Sequence, residues 1–157
     1  MISAEHRSGI LDHLARADRE GARFVLDGRE VPIPEEGFYL GASIAVVDDP
    51  GCALAQQEVF GPVLAVMGFD TADEAIRVAN GTRFGLGANV WSGSLDTVMQ
   101  VTDRLVAGNI NVNGGAGPVV ELPFGGFRES GFGRDRSLHA IDNYSDLKNV
   151  IIRSGPG

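Results

Sequence analysis

Residues 52–62 read CALAQQEVFGP, with the only cysteine of the chain, Cys52, six positions ahead of a carboxylate, Glu58. A thiol and a base are the raw materials of covalent catalysis. The local chemistry opposes that role. A nucleophilic thiol needs a cationic or helix-N-terminal setting to ionise, and Cys52 follows Asp48 and Asp49. On a short helix the two residues would stand about a turn and two thirds apart, on poorly matched faces. Cys52 is therefore read as a small filler residue, and no catalytic residue is assigned. Glu58 is harder to dismiss. The run EVFGP sets an acid, an aromatic ring and a Gly-Pro turn ahead of an apolar stretch, and a carboxylate there can accept two hydrogen bonds from a diol. The plain alternative is a surface acid at a helix end.

Two glycine-rich stretches follow. GGAGPVV (114–120) comes after a strand, where a dinucleotide-binding loop would sit. That fingerprint needs a helix N-terminus aimed at the pyrophosphate. Pro118 and Pro123 oppose a helix, and no third glycine falls in place. PFGGFRESGFGR (123–134) packs four glycines among Phe124, Phe127 and Phe132. Its backbone can approach a neighbour closely, and its rings need cover, so an ordered loop is expected. His6, His13 and His139 lack the spacing of a metal site and read as solvated surface residues. Trp91 reads as a packing residue, and no metal ligand is assigned.

The elements that must position these residues follow from period and punctuation. Ser3 caps a helix over 3–20, with Ile10, Leu11, Leu14 and Ala17 on one face and Gly21 as its stop. Strands are expected at 23–26 and 38–47, and a short helix at 53–57. A buried strand is expected at 62–69. Thr71 and Glu74 have capping-box spacing for a helix ending at Asn80-Gly81. A strand at 86–91, a helix from Ser94 to about 107 and a strand at 109–113 complete the alternation. A short helix near 137–141 and a last strand at 147–153 close the chain. Strands alternating with helices imply an α/β layer with largely parallel pairing.

Composition bounds the partners. The 157 residues carry a formal net charge of −8, against a nucleic-acid binder, which needs clustered Lys and Arg. A nucleotide cofactor remains compatible, since backbone N–H groups and hydroxyl contacts can hold it. One cysteine excludes an internal disulfide. No stretch approaches the roughly 20 apolar residues of a membrane helix, and MISAEHRSGI lacks a signal-peptide core. A cytoplasmic location with no membrane partner is expected.

Several stretches together resemble the C-terminal part of the aldehyde dehydrogenase superfamily: ISAEHRSGILDHLARADREGARFVLDG (2–28), EVFGPVLAVMGFDTADEAIRVANGTRFGLGANVWS (58–92), VNGG (112–115), LPFGGFRESGFGR (122–134) and YSDLKNVII (144–152). Their order and spacing run through nearly the whole chain. The resemblance implies a partial catalytic domain, a mostly parallel sheet with flanking helices over 1–143, and a C-terminal oligomerisation strand and tail over 144–157. It implies oxidation of an aldehyde to a carboxylic acid with NAD or NADP. It assigns Glu58 to the nicotinamide-ribose hydroxyls, Phe60 to the same ribose and Phe124 to the substrate tunnel. Residues 114–122 resemble the segment that shapes the tunnel mouth. Family members often place Gln and Lys near the adenosine ribose, where this chain has His6 and Gly9. The usual lysine of PFGGxKxSG is Arg128.

The family's nucleophile, general-base glutamate, oxyanion asparagine and cofactor domain lie farther upstream of the E-x-F-G-P glutamate than the 57 residues that precede Glu58. The expectation is a segment that pairs with an N-terminal aldehyde dehydrogenase half, assembles as a homo-oligomer through its last strand, and is inactive alone. The alternative is a non-catalytic oligomerising module or truncated remnant.

Overall fold

The structure is a computed structural model that describes residues 1–115 and 119–155. The chain divides into two compact units, Met1–Arg83 and Phe84–Gly157. Each has its own sheet.

The first unit opens with helix α1 (Ala4–Arg19), whose N-cap Ser3 accepts a hydrogen bond from the His6 amide through Oγ. Such a cap is worth about 1 kcal/mol. Gly21, at φ 86°, lets the chain leave the helix. Ile10, Leu14 and Ala17 recur at four and three residues and are buried, as the apolar stripe requires. Strand β1 (Arg23–Leu26) pairs antiparallel with β2 (Ser43–Val46), and β2 pairs parallel with β3 (Val63–Val66) in the register Ser43 to Val63 and Val46 to Val66. Helix α2 (Ala53–Gln56) lies in the crossover between β2 and β3. The Glu20 carboxylate accepts the Ala53 amide N–H at 2.8 Å, which with Arg16 holds its pKa below the usual carboxylate range. The core gathers Ala17, Ala45, Val47, Cys52 and Leu54. Helix α3 (Ala72–Ala79) begins as the capping box demands: Thr71 Oγ1 accepts from the Glu74 amide, and the Glu74 carboxylate reaches back to the Asp70 amide.

The second unit holds one parallel pair, β4 (Gly87–Val90) beside β5 (Asn109–Val112), joined through helix α4 (Leu95–Arg104). Ser94 caps α4 by accepting the Thr97 amide. A 3-10 turn, Arg128–Ser130, and a longer one, Leu138–Tyr144, follow. Among the described residues, every apolar side chain that is fully buried lies in the first unit.

The α/β alternation stands where period and punctuation placed it, and the expected parallel pairing is found at β2–β3 and β4–β5, in two sheets rather than one layer and with an antiparallel edge at β1. Several bounds shorten. The strand expected over 38–47 pairs only at Ser43–Val46, and that over 62–69 only at Val63–Val66. The latter is not a buried strand: Leu64 is 57% exposed and Val66 is also exposed. Apolar content alone does not distinguish two covered faces from one. Trp91 does not pack; it is 73% exposed. Residues 147–153 form no strand within the chain, and Leu147, Val150, Ile151 and Ile152 are exposed. A strand exists only through a neighbour's hydrogen bonds, and these residues have no ladder partner among the described residues.

Candidate functional site

In the first unit the turn after α2 carries Glu58 and Phe60. Both line an open hollow of about 310 Å³, with Leu54, Gln57, Gly61 and Val63 among its other walls. The Glu58 side chain is exposed and makes no hydrogen bond or ion pair with any described residue. Its oxygens are therefore available as acceptors, which is what a vicinal diol needs. Phe60 is 74% exposed and sits at φ 54°. A left-handed backbone at a bulky residue costs roughly 1–3 kcal/mol, and glycine would adopt it freely. The chain instead holds a phenyl ring out of the core in a strained turn.

Helix α1 grips that turn. His6 Nε2 lies 2.9 Å from the Phe60 carbonyl oxygen. One helical turn later, Ile10 fills the space where Gly61 would carry a Cβ, which would come within 2.6 Å of Ile10 Cδ1. His6 is thus half-buried and hydrogen-bonded, not the solvated histidine expected. Its sequence signal was the i, i+4 placement with Ile10 on the helix face, but the partner lies 54 residues away.

Cys52 and Glu58 are not brought together. Cys52 is buried as the N-cap of α2 and lines a different hollow with Ala17, Val47 and Asp49, while Glu58 lies beyond the helix end.

In the second unit the PFGG stretch is braced across its own loop. Phe124 and Asp135 exchange backbone hydrogen bonds at 2.8 and 2.7 Å. The Arg136 guanidinium stands 4.9 Å over the Phe124 ring, and Arg134 stands 4.8 Å over Phe127 while donating to the carbonyls of Gly126 and Gly133. Phe124 keeps 37% of its surface exposed. The ordered loop expected here is observed, although Phe132 has no cover at all. Asn109 adds a brace the sequence reading missed, donating through Nδ2 to Leu86 O and Gly125 O. Of the loop over 114–122, residues 116–118 lie outside the described residues. Among the described residues no three His, Cys, Asp or Glu side chains gather as a metal site, and no helix is long and apolar enough to cross a membrane.

Parallel strands joined through helices define an α/β protein, with an acid and a ring on the turn entering β3 in the first unit and a braced glycine-rich loop in the second. The chain belongs to the aldehyde dehydrogenase family, whose model matches residues 1–150. It is 39% identical to betaine aldehyde dehydrogenase 1 of Rhizobium meliloti (strain 1021) over 99% of its own length and 32% of that relative's. It superposes with a TM-score of 0.87 on a mutant of the P. syringae indole-3-acetaldehyde dehydrogenase AldA, in complex with NAD+ and IAA, at 40% identity, covering 93% of this chain and 30% of the other. A Sinorhizobium meliloti NAD-dependent aldehyde dehydrogenase gives a TM-score of 0.88 at 37% identity, covering 99% and 31%. The chain thus spans about a third of the length of the relatives it matches.

Proposed function

We propose that these 157 residues are the C-terminal segment of an NAD(P)-dependent aldehyde dehydrogenase, supplying a nicotinamide-ribose clamp and part of the substrate tunnel but no nucleophile. The carrying observation is the Glu58–Phe60 turn: a carboxylate without a partner among the described residues, beside a ring kept outside the core at a cost in strain. In this reading Glu58 accepts the ribose hydroxyls and Phe60 covers the same sugar. Phe124, stiffened by its backbone exchange with Asp135, is a wall for the aldehyde. The hydride acceptor is NAD or NADP, which the P. syringae relative's NAD+ complex supports. The thiol, the base and the oxyanion donor come from an N-terminal portion.

That portion has surfaces to cover. The second unit has no fully buried apolar side chain among its described residues, and Leu95 and Met99 stand exposed on α4. Burial is the main favourable term in folding, so such a unit gains its core from a neighbour. Residues 144–157 are proposed as a separate oligomerisation strand and tail. A second reading, a non-catalytic oligomerising module, draws on the same exposed tail and predicts no response to NAD.

The test has two arms. Purified chain with NAD and a panel of aldehydes is expected to form no NADH; NADH formation lost on Cys52→Ala would overturn the missing nucleophile. In an NMR titration, NAD is expected to shift the amides at 58–61, with Glu58→Gln weakening the response about 10-fold or more, the scale of a hydrogen bond to a charged acceptor. No NAD response in wild type would sink the ribose clamp and favour the module.

A further inference from the structure

We propose that His6 is the positioning residue of the ribose clamp: its Nε2–H donates to the Phe60 carbonyl and holds Phe60 in its left-handed conformation. The proposal rests on the clamp reading above but makes a claim about α1 that the reading does not require.

A carbonyl oxygen only accepts, so the 2.9 Å contact demands a proton on Nε2. The other ring nitrogen, Nδ1, is buried and has no hydrogen-bond partner among the described residues. A buried unpaired polar atom in a native fold calls for a reason. Here the reason is placement. A ring oriented for Nε2 to meet Phe60 O leaves Nδ1 facing protein that offers it nothing. Two further features make the contact a clamp rather than a chance approach. His6 is anchored from behind, its amide donating to Ser3 Oγ at the start of the helix. Four residues on, Ile10 presses on Gly61, so successive turns of α1 contact successive residues of the bend. The tight fit at Gly61 keeps the bend against the helix, and the His6 hydrogen bond selects the peptide orientation that Phe60 must adopt. Phe60 and the neighbouring Glu58 then line the hollow before any ligand arrives, and a preorganised turn has less ordering to lose on binding.

The test compares wild type, His6→Gln and His6→Leu in the full 157-residue chain. Glutamine keeps an N–H donor of similar reach; leucine keeps bulk without it. Methyl spectra of Leu14 and Ile76 report whether the first unit remains folded. Nitrogen-15 spectra of the wild-type imidazole are expected to show the Nε2–H tautomer. The short amide-to-Hα distance within Phe60, diagnostic of positive φ, is expected in wild type and His6→Gln. In His6→Leu the ratio of left-handed to extended Phe60 is expected to fall roughly 3- to 10-fold, as loss of one neutral hydrogen bond dictates. The NAD response at 58–61 weakens by at most that factor, because affinity follows the fraction of chains with Phe60 left-handed, and it recovers in His6→Gln. An Nδ1–H tautomer, or a folded His6→Leu chain with Phe60 unchanged, would overturn the proposal. Absence of any NAD response in wild type refutes the clamp reading instead, and the Phe60 backbone then decides the positioning claim alone.

Discussion

Phe60 puts stability and binding in opposition. Its left-handed backbone is a cost that glycine would remove, while glycine also adds freedom to the unfolded chain. With most of the ring already in solvent, little burial is lost. Phe60→Gly is therefore expected to leave the unfolding free energy of the first unit within about 1 kcal/mol of wild type, where truncating a core phenylalanine costs about 3–5. The same change is expected to abolish the NAD response at 58–61. Denaturant unfolding paired with the NAD titration checks both, and a destabilisation of core size would show that the ring is structural. Glu58 was legible from EVFGP because an acid beside an aromatic and a Gly-Pro turn is a local pattern. His6 was not, because its partner is a backbone carbonyl distant in sequence, and carbonyls carry no letter.

Elements hold the site through close backbone approaches. At the start of β5, Gly108 lies against the PFGG loop, and a Cβ there would fall 1.8 Å from Gly125 O. Gly108→Ala must push strand and loop apart, at a cost of about 1–3 kcal/mol or more. Gly68→Ala, in open space, is expected to cost less than about 1. Thermal melts of both, followed by Trp91 fluorescence in the second unit for the former, measure the contrast. Equal effects would mean the approach is not tight. Caps were readable here: Ser3, Thr71 and Ser94 each accept the amide three residues on. Strand ends were not, since pairing partners rather than apolar runs set them. Thus 38–42 stays unpaired although FYLGA reads as strand.

At the scale of the molecule, the surplus is apolar surface seeking cover. Leu64 and Val66 on β3, Leu95 and Met99 on α4, and Leu147 to Ile152 in the tail are exposed within their own units. An exposed, unpaired apolar segment is a template for another strand. If the tail assembles the chain as proposed, light scattering after gel filtration is expected to find an oligomer for the full chain and a monomer once residues 144–157 are deleted, with the caps and core of the first unit unchanged by NMR. An unchanged oligomer would remove the tail from the assembly.

The residue order alone determined the helices with their caps, the α/β alternation and the family motifs, because each depends on neighbours within a few positions. Tertiary structure alone decided that β3 is covered on one face only and that α1 grips the Phe60 turn. Those outcomes depend on which distant segments meet, and hydrophobic period and turn chemistry carry no information about distant partners.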